Sequence, residues 1–447
     1  MNIKPIVMQR RTFIKKSALT AISVSFLGAI QWNGKSITTN KMLKVNGQRI
    51  ESRIMELAKF GRDEKGHGYR VAYTKGDIAG RNWFIELMKK AGLDVSIDAG
   101  GNIIGKRKGK NQSLKPIAFG SHIDMVPDGG NYDGTLGSIS ALEIIEILNE
   151  NKLVTDHPLE VIIFGNEEGG LVGSKAMAGL LNDEGLGKVS QSGLIMAEGI
   201  KAIGGNPNNI QSCIRKKGDL HAFVELHIEQ GGILENENIQ IGVVEGIVGM
   251  MDWDVTIEGF ANHAGATPMN IRKDALLAAS KLVVAVNEVV NGVQGRQVGT
   301  VGKISSFPGA SNVIPGKVVM SLEIRDLSME KVEMLFAEVQ KRADLIASES
   351  KTKISFQPQF VIKPALSNNL LQDKINSTAK GLGFTTKFMQ SGAIHDSQNM
   401  SLIAPMAMIF VPSVGGISHS PNEFTKAEDM TNGANVLLNT ILTADKE

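Results

Sequence analysis

Three apolar runs in this chain end in ionisable side chains, and that pattern constrains the fold more than any other feature. Residues 116–124 read PIAFGSHID, residues 159–168 read LEVIIFGNEE and residues 223–230 read FVELHIEQ. Near-continuous apolar runs of this length are buried strands of a sheet covered on both faces. Between the first two, residues 138–149 (SISALEIIEILN) place apolar side chains at helical spacing. Alternating strands and helices give an α/β architecture. In open α/β sheets ligands gather beyond the strand C-termini, so the polar ends of these runs point to one site.

The pattern changes after residues 246–249. MDWDVTIE at 251–258 alternates apolar and polar residues, as a strand with one solvated face does. A helix follows at about 272–290, then strands around 299–306 and 318–325, a helix from about 329 and a strand near 354–361. This β-α-β-β-α-β order predicts a ferredoxin-like α+β insert. After Pro364 the α/β pattern resumes, with an apolar strand at 403–411. A chain of 447 residues exceeds one ordinary core. The expectation is therefore a catalytic domain with a mixed central sheet flanked by helices, spanning 36–248 and 363–447. A lid and dimerisation domain, 249–362, is inserted into it.

Residues 1–35 stand apart as signal and linker. Arg10 and Arg11 open the basic stretch RRTFIKK, and an apolar run occupies 18–30. Paired arginines before such a run read as a twin-arginine export signal, which predicts a periplasmic protein. The run is shorter than the roughly 20 residues of a spanning helix, and no cysteine follows it for a lipid anchor, so no stable membrane anchor is expected. A net charge of +2 gives no reason to expect nucleic acid as partner.

The single cysteine, Cys213, excludes an internal disulfide and a cysteine-built zinc site. Any metal must then be held by His, Asp and Glu. His122 and Asp124 share one face of a strand end, so His122 can ligate while Asp124 orients it. Asp133 sits between glycines that let the backbone bring its carboxylate back toward His122. Glu167 and Glu168 follow a buried strand; on extended backbone they point apart, leaving one to bind and one to act as base. His227 lies within the third strand, and His419 in the loop after the last one. Taken singly, each has an ordinary reading as a surface pair, a solvated acidic loop or a core histidine. Together they form the ligand inventory of a carboxylate-bridged dinuclear site.

These segments also occur in a familiar order. GSHIDMVPDGGNYDG, the Glu-Glu pair, ELHIEQG, ANHAGATPM, SNVIPG and GGISHSPNE closely resemble the amidase/hydantoinase/carbamoylase branch of the aminoacylase-type zinc peptidases. The resemblance runs from about residue 45 to the C-terminus. It implies two divalent cations per subunit, zinc or manganese, with cobalt or nickel as alternatives. It assigns His122, Asp133 and His227 to one cation and Asp133, Glu168 and His419 to the other, with Glu167 as general base. It further implies that His263 acts in the site of a partner subunit, hence a homodimer through the lid. Gln230, Asn312 and Arg325 would contact a small ureido- or amidino-carboxylate substrate, and Gly392 and Ala393 would offer backbone donors. Arg325 has a plainer reading as the salt-bridge partner of Glu323 or Asp326.

Three positions depart from the common pattern: residues 169–174 (GGLVGS), Glu323 and Ile394. They fall where substrate choice is made. The leading expectation is an N-carbamoyl-L-amino-acid hydrolase, which releases amino acid, carbon dioxide and ammonia; the alternative is an allantoate amidohydrolase. An aminoacylase or peptidase, and a non-catalytic binding protein on the same scaffold, complete the set.

Overall fold

The computed structural model describes residues 42–446, so the export segment expected at the N-terminus lies outside the described residues. The strands of the first half are β1 (Asp94–Ile97), β2 (Ile103–Arg107), β3 (Ile117–His122), β4 (Leu159–Phe164), β5 (Ala222–Ile228) and β6 (Ile241–Ile247). Next come β7 (Gly249–Glu258), β8 (Asn262–His263), β9 (Val298–Thr300), β10 (Ile304–Phe307), β11 (Val313–Ile314), β12 (Lys317–Asp326) and β13 (Lys353–Ile362). The last are β14 (Ala365–Leu366), β15 (Thr386–Ser391) and β16 (Met406–Val411).

Nine strands form the larger sheet, in the order β1-β2-β4-β3-β5-β16-β6-β14, with β15 also paired to β6. Its centre, β4-β3-β5-β16, is parallel; antiparallel pairs flank it, so the sheet is mixed. All four central strands are buried along their length. Alternate side chains feed opposite cores: Phe119, Ile163, Leu226 and Ile409 go to one, Ala118, Ile162, Phe223 and Met408 to the other. Each large apolar side chain so buried contributes about 1.5–3 kcal/mol. A one-residue slip would exchange the two sets, so the register of the strand ends is firmly held.

The second sheet has the order β10-β12-β7-β13, with β9 also on β12, and every pair is antiparallel. Helices Ala275–Asn291 and Met329–Ser350 pack on it around a core of its own. This is the β-α-β-β-α-β arrangement expected from the sequence. One expected strand, 299–306, is divided into β9 and β10 by residues 301–303. Two links join the sheets, at Val248 and at Lys363 and Pro364. Pairing continues on both sides of them, Met250 with Ile362 and Ile247 with Ala365. Among the described residues no helix is long and apolar enough to cross a membrane.

Candidate functional site

The parallel strands β4, β3, β5 and β16 all point their C-terminal ends the same way, and each delivers chemistry there. β3 ends at His122, β5 carries His227, Glu167 and Glu168 follow β4, and His419 follows β16. Asp133 enters from the loop before helix Thr135–Glu150, whose N-terminus favours an anion. Gly134 makes this possible. Its φ is +60°, and an added Cβ would collide with the His122 ring.

Asp133 is the hub. Its Oδ1 lies 3.4 Å from His122 Nε2 and 3.0 Å from His227 Nε2, while its Oδ2 lies 3.3 Å from His419 Nε2. His419 Nε2 is also 3.5 Å from Glu168 Oε2. Two donor groups result, His122–Asp133–His227 and Asp133–Glu168–His419, each with its ligand atoms within 4.8 Å of one another. Asp133 belongs to both and turns one oxygen to each.

Hydrogen bonds elsewhere on the rings favour a tautomer suited to ligation. His122 Nδ1 lies 3.1 Å from the Asp124 carbonyl and His227 Nδ1 2.9 Å from the Ile228 carbonyl. Donation from both Nδ1–H groups leaves both Nε2 lone pairs facing Asp133 Oδ1. The Gly134 N–H also donates to His227 Nε2 at 3.2 Å, but acceptor still faces acceptor, an arrangement that a cation or an extra proton between them relieves. Ligands about 2.1 Å from a tetrahedral zinc ion sit about 3.4 Å apart, which matches these spacings. Glu168 Oε1 is buried with no hydrogen-bond partner, a further vacant donor position. The residues fit a divalent metal.

The charges say the same. Burial opposes charge on His122, yet Glu167, Asp133 and Asp124 outweigh it and hold its pKa well above the usual value. The bond to Asp133 lifts His419 to about 9 despite its partial burial. Burial, reinforced by Asp133, pushes Glu168 up to about 7. Burial also drives Glu167 well above the carboxylate range; His122 opposes this, and Asp396 and Glu168 add to it. The carboxylates are packed as if for more positive charge than the imidazoles alone provide.

Glu167 stands beside the donor groups and belongs to neither, its Oε2 3.8 Å from His122 Nε2. The Glu167–Glu168 pair does not continue the strand as expected. β4 ends at Phe164, and Asn166 turns the chain at φ +54°. Asp124 fixes this turn: its Oδ1 and Oδ2 accept the N–H groups of Glu167 and Glu168, each at 3.2 Å. Asp124 therefore positions the acids, and it holds the His122 ring through its backbone carbonyl, its carboxylate being 3.7 Å away.

Of the expected substrate contacts, Gln230 donates to Asp133 Oδ2 at 2.6 Å and lines a cavity of about 340 Å³ with Arg325, Ala393 and the metal-group acids. Arg325 is already engaged. Its Nε and Nη2 donate to both Glu323 carboxylate oxygens, at 2.6 and 2.9 Å, and its Nη1 donates to the Gly392 carbonyl. Gly392 thus accepts rather than donates in that bond, and the Ala393 carbonyl likewise accepts from Ser391. His263 and Asn312 do not line the cavity. They sit together on the second sheet's side, where Ala264 N–H donates to the Asn312 carbonyl, and both are exposed.

Three polar residues were not singled out from the sequence. Glu423 accepts the N–H groups of Tyr132 and Asp133 and the Ser418 hydroxyl, tying the Asp133 and His419 loops together. Ser418 also donates to Asp133 Oδ2. His395 stacks edge-on against His227 at 4.5 Å; burial holds its pKa well below the usual value. The further group Glu225–His227–His395 is satisfied by the protein, since Glu225 accepts from Ser121 and Ser397, and His395 pairs with Ser391. Glu423 ends the GGISHSPNE segment, but nothing local to that segment signals its bonds to the distant Asp133 loop.

A family model for peptidase family M20/M25/M40 matches residues 118–443. The chain belongs to this family. An N-carbamoyl-L-amino acid amidohydrolase of Geobacillus stearothermophilus is 38% identical over 402 residues, covering 89% of this chain and 98% of that one. A ureidoglycolate hydrolase of Arabidopsis thaliana is 38% identical over 415 residues, covering 90% of this chain and 87% of that one. Among solved structures, a hydantoinase/carbamoylase family amidase from Burkholderia multivorans superposes with a TM-score of 0.85. It is 36% identical and covers 91% of this chain and 99% of that one. The mixed α/β fold and the membership in a family of amidohydrolases agree with the expectation drawn from the sequence motifs.

Proposed function

We propose that this chain hydrolyses N-carbamoyl-L-amino acids to the amino acid, carbon dioxide and ammonia, using two divalent cations. The observation that carries this reading is Asp133, which turns one carboxylate oxygen to each of two donor groups beside an uncommitted Glu167. His122, Asp133 and His227 would hold one cation and Asp133, Glu168 and His419 the other. When bound, such a pair supplies Lewis-acid activation of water and polarisation of the scissile carbonyl.

The chain's own groups do the rest. Glu167 takes the proton of the attacking water and returns it to the leaving nitrogen. Burial raises its affinity for that proton, and Asp124 keeps its backbone in place. A cavity of about 340 Å³ suits a small ureido acid, and its basic residues suit a carboxylate. His263 would stabilise the oxyanion in a partner subunit's site, with Asn312 beside it, in a homodimer formed through residues 249–362. Both His263 ring contacts support this. Its Nδ1 accepts the Gly265 and Ala266 N–H groups, which leaves the proton on Nε2 for an oxyanion. Export by the twin-arginine route would place the enzyme in the periplasm, and fractionation of cells making the full chain tests that.

The deciding experiment is a substrate panel of N-carbamoyl-L-amino acids, allantoate, ureidoglycolate and dipeptides, with metal content measured on the same sample. Two equivalents of metal and fastest ammonia release from a carbamoyl amino acid are expected. Protein with two metals bound that releases no ammonia from any carbamoyl amino acid would overturn the reading; preference for allantoate would move it to the alternative.

A further inference from the structure

Arg70 is one of the largest fully buried side chains, at 1% exposure, and no described carboxylate lies within ion-pair distance of it. Burying an unpaired guanidinium is unfavourable unless its donors are satisfied. Burial pulls its pKa down to about 10, and Asp77 and Asp124 attract it only from further away. Its fork is filled by the frame of the metal site instead. Nε donates to the Ile123 carbonyl at 2.6 Å, Nη1 to the Leu57 carbonyl at 3.0 Å and Nη2 to the Thr135 hydroxyl at 3.4 Å. Ile123 follows His122 at the end of β3, and Thr135 opens the helix just after Asp133. One planar group therefore spans the two segments that carry His122 and Asp133.

The backbone around Arg70 is fixed as well. Its carbonyl accepts the Met125 N–H at 3.2 Å, from the segment that continues past His122. Three residues on, Tyr73 is buried at φ +71°, a conformation that is costly for a bulky side chain and persists only where the surroundings over-determine it. Its hydroxyl donates to Met196 Sδ at 3.2 Å, and the Asn166 amide donates to the same sulfur at 3.3 Å. Residues 70–73 thus touch the His122 strand end, the Asp133 helix and, through Met196, the turn that presents Glu167 and Glu168.

We propose that Arg70 is a positioning residue for the cation held by His122, Asp133 and His227, fixing the separation of His122 from Asp133 without touching cation or substrate. This rests on the dinuclear reading above and is independent of the choice of substrate. Reach matters here more than charge. The donors leave a guanidinium in fixed directions, whereas an ammonium on a flexible stem holds no such frame. Without the fork, the buried Ile123 and Leu57 carbonyls lose that donor, and the strand end and the helix start are free to part. The His122–Asp133 spacing, 3.4 Å in this structure, is what then widens.

The test follows zinc leaving the zinc-loaded full-length enzyme into excess chromogenic chelator. Arg70→Met and Arg70→Lys should release one of the two zinc ions about tenfold faster or more, the scale of losing a group that orients a ligand. Thr135→Val, which removes only the hydroxyl, should accelerate the same release by less. It should add little to Arg70→Met, because both delete one shared contact. Cobalt-loaded enzyme should show shifted visible absorption bands in the Arg70 variants. Phe84→Leu, in the same core as Leu57, controls for stability: it should lower the melting temperature and leave release and bands as in wild type. Wild-type release and bands in Arg70→Lys, or equal changes in Phe84→Leu, would overturn the assignment. Should Arg70→Met fail to fold, the Arg70→Lys and Thr135→Val enzymes decide it. Wild-type protein that holds two zinc ions but releases no ammonia from carbamoyl amino acids sinks the substrate reading alone, since zinc release needs no turnover. Wild-type protein that takes up no zinc sinks both.

Discussion

The reactivity of this site depends on which acid is left uncommitted. Asp133 and Glu168 both face imidazole nitrogens within the two donor groups, whereas Glu167 joins neither and is buried beside them. Asp124 separates the two glutamates by accepting both of their N–H groups, so neighbours in sequence serve different purposes. Glu167→Gln keeps the shape and removes the proton acceptor. Turnover should fall by about two to four orders of magnitude, the usual contribution of a positioned base. Metal content should stay at the wild-type level, because no ligand is lost. Ammonia release and elemental analysis on one preparation check both halves. Retained turnover removes Glu167 from the role of base, and loss of metal makes it a ligand instead.

At the scale of elements, the site is the shared end of four parallel strands plus two loops that must turn tightly. The loop before helix Thr135–Glu150 is the least forgiving. Gly134 adopts φ +60° and leaves no room for a Cβ beside the His122 ring. Gly134→Ala should cost about 1–2 kcal/mol in backbone strain, displace the ring and lower metal occupancy at the His122–Asp133–His227 group. Thermal melting and metal analysis read the two effects; unchanged values would mean that the loop relaxes freely. The strands were legible in the sequence because their apolar runs are buried on both faces, and their polar ends then had one place to go. Asp133 was legible for the same reason, from glycines around a lone acid. Other features left no such mark. Glu423 reaches Asp133 across 290 residues, and no local pattern encodes that approach. The αL turn at Asn166 was hidden behind an apolar run that reads as continuing strand. Arg325 carried two readings that sequence left open, and the Glu323 carboxylate two residues away on the same face of β12 filled its fork. Lys175 lines the cavity, which nothing in its local sequence indicates.

At the scale of the whole molecule, two residues expected to contact the substrate lie away from the cavity of their own chain. The paired segments β8 and β11 carry His263 and stand next to Asn312, yet neither residue reaches the cavity of its own chain. The Gly265 and Ala266 N–H groups donate to His263 Nδ1, which leaves the proton on Nε2. If a second copy supplies this ring, variants in the two halves should complement. His263→Ala and Glu167→Gln should each be nearly inactive alone. In a mixed dimer, the subunit with intact Glu167 receives intact His263 from its neighbour, so one of two sites is whole. Random reassociation makes half of the dimers mixed, and about a quarter of wild-type activity should return in a symmetric homodimer. Activity measured after denaturing and refolding the mixture, beside each variant refolded alone, gives the comparison. Failure to recover any activity from a refolded, metal-loaded mixture would confine the chemistry to one chain and leave His263 without a part in a partner's site.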